Sequence, residues 1–198
     1  VIDSVRLDVS LAIKPDPILE CPLRRNPDRP HVSFVHIRNP VEENYAYDGK
    51  GFILTASKAD MSSSDLPVTF IGKRQRSLDG SASATLDGMG LSTTSGARLR
   101  TGMCYYKDEH RFVCIFIDVD SRTIVLKIVN KARYLDRRTS RRMEAVGKGA
   151  KISVGIDFTE LEFVFWFSIN GSGAKEELGR IDTLDMTGHD FVGPIIGL

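Results

Sequence analysis

Met103-Cys104-Tyr105-Tyr106-Lys107-Asp108-Glu109-His110-Arg111-Phe112-Val113-Cys114-Ile115-Phe116-Ile117 is two runs of β-formers around a polar break. Aromatic and β-branched side chains suit a pleated, half-buried backbone. Two such runs joined by Lys107-Asp108-Glu109-His110 form a hairpin signature. Working outward, Thr123–Val129 follows a turn at Asp120-Ser121-Arg122, Lys151–Ile156 alternates, and Leu161–Ile169 ends at Asn170-Gly171, the strongest turn dipeptide. Upstream lie Val32–Ile37, Gly51–Thr55, Val68–Gln75 and Ser81–Leu86, the last with period-two alternation. No stretch sustains a 3.6-residue period. The basic segment Arg133–Met143 reads as a solvated loop or edge strand, with a helical turn as the alternative. Many short strands with turn signals between them predict an all-β sandwich or barrel, and the absence of a repeat argues against a propeller or solenoid.

A chain of 198 residues suits one such domain, and 41% hydrophobic with 27% charged residues is ordinary for a globular one. The formal net charge of +1 gives no nucleic-acid groove or polybasic membrane surface. No apolar run approaches the ~20 residues of a membrane-spanning helix. Asp3, Arg6 and Asp8 rule out a signal-peptide reading of Val1–Leu11, and without an initial Met the chain reads as a segment of something longer. Pro15, Pro17, Pro22, Pro27 and Pro30 cluster upstream, where proline's fixed φ and missing N–H oppose a helix or central strand. Residues 1–31 are therefore expected to be a Pro-rich connector or N-terminal extension, and 32–198 the folded body.

Chemistry is sparse. His31, His36, His110 and His189 are isolated, so no zinc site is expected. Asp118-Val119-Asp120 could offer two oxygens to calcium, against the simpler reading of a solvated turn. Glu160 and Glu162 would lie ~7 Å apart on one side of a strand, within the roughly 5–9.5 Å that glycosidase carboxylates use. Against this, Glu160 follows a turn and Glu162 suits the polar face of an edge. Gly171-Ser172-Gly173 lacks the strand-to-helix setting of a nucleophile elbow. No catalytic residue, metal or cofactor is expected. Cys104 and Cys114 fall nearly opposite each other, and either a disulfide or two buried thiols fits; Cys21 could be free. Asn170-Gly171-Ser172 is a glycosylation sequon that matters only in a secreted chain.

Sugars stack on exposed aromatic rings and hydrogen-bond to planar polar groups. Tyr45, Tyr47, Tyr105, Tyr106, Trp166 and Phe191 are the candidates, each competing with a core role. Tyr105 and Tyr106 point to opposite faces, so only one is core if one face is solvated.

Three islands in order carry a resemblance: Arg38-Asn39-Pro40 with Tyr45, then Leu66-Pro67-Val68-Thr69-Phe70-Ile71-Gly72-Lys73-Arg74-Gln75, and finally Phe191-Val192-Gly193-Pro194-Ile195-Ile196-Gly197-Leu198. Thr101-Gly102-Met103 with Tyr105-Tyr106, Trp166-Phe167-Ser168 and Leu178-Gly179 fall between them. The set resembles the C-terminal β-sandwich of glycoside hydrolase family 43, the β-xylosidase and α-arabinofuranosidase group, over residues 32 to 198. The resemblance implies a concanavalin A-like two-sheet β-sandwich (jelly roll) that follows a five-bladed catalytic propeller. It implies a non-catalytic accessory role in xylan or arabinoxylan degradation, a propeller partner, a xylan-type oligosaccharide ligand and an extracellular location. Phe191 stands where a family Phe reaches over to close the propeller's sugar pocket. Phe191, Arg74, Gln75, Tyr105 and Trp166 are accordingly the expected carbohydrate-binding residues. The alternatives are an independent, lectin-like carbohydrate-binding module and a concanavalin-like hydrolase or lyase. Val192 replaces the family's Thr, Ala174-Lys175-Glu176 stands where a Trp is usual, and Leu198 falls where a final strand usually follows. An apolar Ile195–Leu198 end would then leave a sheet edge exposed.

Overall fold

The computed structural model describes residues 33–48, 51–87, 99–143, 150–170, 174–187 and 193–198, together with the backbone of residues 4–8. The strands are β1 (Ser4–Asp8), β2 (Phe34–Val35), β3 (Tyr45–Tyr47), β4 (Phe52–Thr55), β5 (Gly72–Arg74), β6 (Gly80–Asp87), β7 (Arg100–Asp108), β8 (Arg111–Asp118), β9 (Thr123–Asn130), β10 (Leu135–Arg142), β11 (Lys151–Phe158), β12 (Glu162–Ile169), β13 (Glu176–Asp182) and β14 (Ile195–Gly197). A single α-helical turn among the described residues, α1, covers Thr183–Met186. The strands form two seven-stranded sheets. The first runs β13-β12-β11-β6-β1-β4-β3 and the second β10-β9-β8-β7-β14-β5-β2. The expected all-β two-sheet architecture is present.

Alternation places the core between the sheets. Val113, Ile115 and Ile117 of β8 meet Ile152, Val154 and Ile156 of β11, together with Phe163, Phe165 and Phe167 of β12, in one buried cluster. The other face of the second sheet is also covered over β7, β8 and β9. Cys104, Tyr106, Phe112, Cys114 and Phe116 pack with Val68 and Phe70 in a separate cluster, joined by Ala59 and Met61. The segment after β4 therefore roofs this sheet, which is why Tyr105 and Tyr106 are both buried although they point opposite ways. The condition under which only one of them would be core, a solvated face, is therefore not met.

Other expectations sharpen. The run Val68–Gln75 is strand only at β5, because Thr69 and Phe70 bond to side chains instead of a ladder. Thr69 N–H donates to Ser57 Oγ (3.0 Å) and Phe70 N–H to the Tyr45 hydroxyl (2.9 Å). The basic segment is the edge strand β10, exposed from Asp136 to Arg142. Its arginines make this open edge a poor template for another strand. Asp118 is not a solvated turn residue: it is fully buried, lies 3.5 Å from Arg100 Nε, and accepts the Ser121 N–H at 3.3 Å.

At the N-terminal side, residues 4–8 pair with β4 and β6 inside the first sheet, so a strand of the sandwich lies ahead of the boundary expected at 31/32. The prolines from 15 to 30 lie outside the described residues. At the C-terminal side the expected exposed edge is corrected. β14 is an interior strand, with Ile196 opposite Lys73 on one side and Tyr105 on the other.

Candidate functional site

The three sequence islands converge in space. Tyr45, from the first, donates its hydroxyl to Phe70 O (3.2 Å) while accepting the Phe70 N–H. Burial raises the Tyr45 phenol above its ordinary value, so it remains a donor. Asn44 Nδ2 donates to Thr69 Oγ1 (3.1 Å), which donates to Thr55 O (2.7 Å). Arg38 sits in the left-handed region (φ 58°) and sends Nε to Ser64 O at 3.1 Å.

The second island holds the third. Arg74 and Lys73 of β5 register with Ile195 and Ile196 of β14. Gln75 N–H donates to Pro194 O (3.0 Å), and the Arg74 guanidinium to Gly193 O (3.2 Å). Gln75 Nε2 caps Ser77 O at 2.9 Å. Ile71 and Leu198 exchange both backbone bonds, at 3.0 and 2.9 Å. Lys73 lies 4.6 Å over the Phe34 ring, and burial, reinforced by the Arg76 charge, lowers its pKa. Arg74 and Gln75 thus fix the chain just downstream of Phe191, which itself lies outside the described residues. These two candidates share one place, as an anchor for Gly193 and Pro194.

The remaining two candidates lie elsewhere. Tyr105 is a core residue on the inner face of β7, with its ring 4.5 Å from that of Phe163. It presents no ring face to a ligand, because the opposing sheet covers it. Trp166 lies on the outer face of the first sheet and is also buried. It registers with Gly155, where a Cβ would come within 2.2 Å of ring atom Cζ2, so the indole lies flat against bare backbone. Its other face is covered by Lys175 Nζ, 4.2 Å from the centroid, and Lys175 is fixed in turn to Asp157 at 2.8 Å. Gly155→Ala is expected to lift the ring off the sheet, lowering stability by about 1–3 kcal/mol. Because Trp166 is the single tryptophan, a red shift of intrinsic emission reports the displacement, and an unmoved spectrum would contradict it.

The carboxylate pair dissolves. Glu160 is exposed at a bend, while Glu162 accepts from Arg180 (2.9 Å), which also binds Glu177 (2.6 Å). Arg180 draws the Glu177 carboxyl below its ordinary value. This is an exposed ionic network on the polar face of the sheet, where screening keeps such pairs weak. No three His, Cys, Asp or Glu side chains gather among the described residues.

Two features escaped the sequence reading. Tyr134 is 98% exposed with left-handed φ (53°), at the turn into β10; no local pattern separates it from the buried tyrosines. The second is a cavity of about 400 Å³ beneath the roof of the second sheet, lined by Met61, Phe112, Phe116, Lys127 and both Cys104 and Cys114. The spacing of Phe112, Cys114 and Phe116 was the available signal for this second apolar face.

Solved structures share the sandwich. One titled "Bacteroides ovatus Xyloglucan PUL GH43B" matches with TM-score 0.69 and 20% identity over 86% of this chain and 33% of its own. A GH43_12 protein retrieved from capybara gut metagenome matches with TM-score 0.69 and 20% identity, over 85% and 33%. Xylan beta-1,4-xylosidase from Bacillus halodurans C-125 gives 0.67 and 13%, over 86% and 33%. At these identities the likeness establishes the fold. The chain spans about a third of the length of each of these proteins. No curated protein sequence matches it. The family profile described as "Beta xylosidase C-terminal Concanavalin A-like domain" matches residues 26–198, continuous through all three islands, and the chain belongs to that family.

Proposed function

We propose that the chain is a non-catalytic accessory sandwich that docks on the catalytic propeller of a parent family 43 glycoside hydrolase, stabilises it, and closes its sugar pocket with Phe191. The observation that carries this reading is the clamp of Arg74 and Gln75 on Gly193 and Pro194. Fixing the backbone two residues downstream of Phe191 lowers the entropic cost of holding that side chain against a partner. Membership of the family and a length about one third of its solved members support a role beside a larger domain. Xylan or arabinoxylan is the substrate class this reading takes, and such polymers place the protein outside the cell.

The test is Phe191→Ala in the parent enzyme with both domains present. Kinetics on xylo-oligosaccharides are expected to lose about tenfold or more in kcat/KM, or roughly 1.4 kcal/mol of transition-state binding, with the melting temperature unchanged. Unchanged kcat and KM would remove Phe191 from the pocket. A second reading, an independent carbohydrate-binding module, is favoured by the exposed Tyr134 ring. Calorimetric binding of xylo-oligosaccharides by this chain alone, without hydrolysis, would support it.

A further inference from the structure

Cys104 and Cys114 stand directly opposite each other on β7 and β8, with their sulfurs 3.0 Å apart. Directly opposed residues of an antiparallel pair have Cα atoms about 4.5–5.5 Å apart, inside the roughly 4.4–6.8 Å span that a disulfide bridges. Closing the sulfurs to the bonded distance of about 2.0 Å therefore asks for a side-chain adjustment and no strand movement. The neighbour of Cys104 on its other side is Gly197, which offers no side chain to obstruct it. Both cysteines are free thiols in this structure, and both line the cavity under the roof.

We propose that Cys104 and Cys114 are an oxidisable dithiol that closes to a cross-strand disulfide, with the cavity as the route by which a small disulfide oxidant reaches them. One thiolate attacks a sulfur of the oxidant, forming a mixed disulfide and releasing one thiol. The second protein thiolate then attacks the bound protein sulfur and releases the other thiol. Two S–H bonds become one S–S bond, and two electrons and two protons leave with the oxidant. Burial raises the Cys104 thiol well above its ordinary value, which slows any attack led by Cys104. The pair is therefore a reporter of compartment: reduced in a thiol-rich cytosol and closed in an oxidising exterior. This inference stands on the strand register and does not depend on the accessory-domain reading.

The test uses the folded chain equilibrated with oxidised glutathione, quenched in acid, unfolded and alkylated with iodoacetamide. Of the three cysteines, all should alkylate before oxidation. Afterwards neither Cys104 nor Cys114 should do so, with the peptides that carry them linked and lighter by two hydrogens, whether Cys21 is alkylated or carries glutathione. Met61→Ala, which widens the cavity, should reach the same end state faster. Three alkylated sulfurs after prolonged oxidation, a protein disulfide between Cys21 and either of these cysteines, or a lasting glutathione adduct at Cys104 or Cys114 would each overturn the proposal. The wild-type measurement is decisive even if the variant folds poorly.

Discussion

Gly197→Ala is expected to lower the unfolding free energy by about 3 kcal/mol or more, while Gly193→Ala in the same segment leaves it within about 0.5 kcal/mol. A Cβ on Gly197 would sit 2.3 Å from Ile71 O and 2.6 Å from the Gly72 Cα. Both are backbone atoms of the paired segment, so no side-chain rotation relieves the overlap. β14 would have to retreat from β5, straining the Leu198–Ile71 and Gln75–Pro194 bonds that hold it. At Gly193 an added Cβ meets nothing within 4 Å, and the carbonyl that Arg74 grips is unaffected. Urea denaturation of the two variants beside the parent sequence decides the matter. Coincident midpoints for all three would mean that β14 is not seated between β5 and β7 as described.

Phe165→Ala carries the second large effect, a loss of about 3–5 kcal/mol. Phe165 is fully buried, paired with Ile156 on β11 and Gly179 on β13, and surrounded by the aliphatic centre of the sandwich. Truncation removes the transfer energy of the ring and leaves a hole between two sheets that are each held by their own ladders and cannot collapse far. Domains of this kind have about 5–15 kcal/mol in total, so the loss consumes a large share. Val164→Ala, one residue away on the half-buried outer face, should cost under about 1.5 kcal/mol. A Phe165 loss no larger than that of Val164 would contradict the placement of the core.

Local pattern revealed much of the fold. The β7–β8 hairpin, β9, β11 and β12 were legible because each is an apolar run ending in recognisable turn chemistry. What could not be read was which face stays covered. Sequence alone leaves Tyr105, Tyr106 and Trp166 as candidate ring platforms, yet a roof contributed by residues around Val68 and Phe70 covers Tyr106, the opposing sheet covers Tyr105, and Gly155 and Lys175 enclose Trp166. Each covering partner is distant in sequence or lacks any apolar signature. Asp118 looked like a turn residue because its partner Arg100 belongs to the neighbouring strand. Arg74 and Gln75 were found through resemblance, and their work as an anchor became visible only with β14 beside them.

That interior position has a consequence for biogenesis. Residues 195–197 complete hydrogen bonding for strands near residues 72–74 and 104–106, which are made far earlier. Pairings so remote give a high contact order and slow folding. At a synthesis rate of about 5–20 residues per second, the open flanks of the earlier strands wait on the order of ten seconds on the ribosome for their wedge. Until it arrives the nascent second sheet is split in two, with bare strand edges of the kind that chaperones shield and that recruit other unfinished chains. Yield in the cell should therefore depend on how reliably these few C-terminal residues insert, more than on the stability of the finished domain.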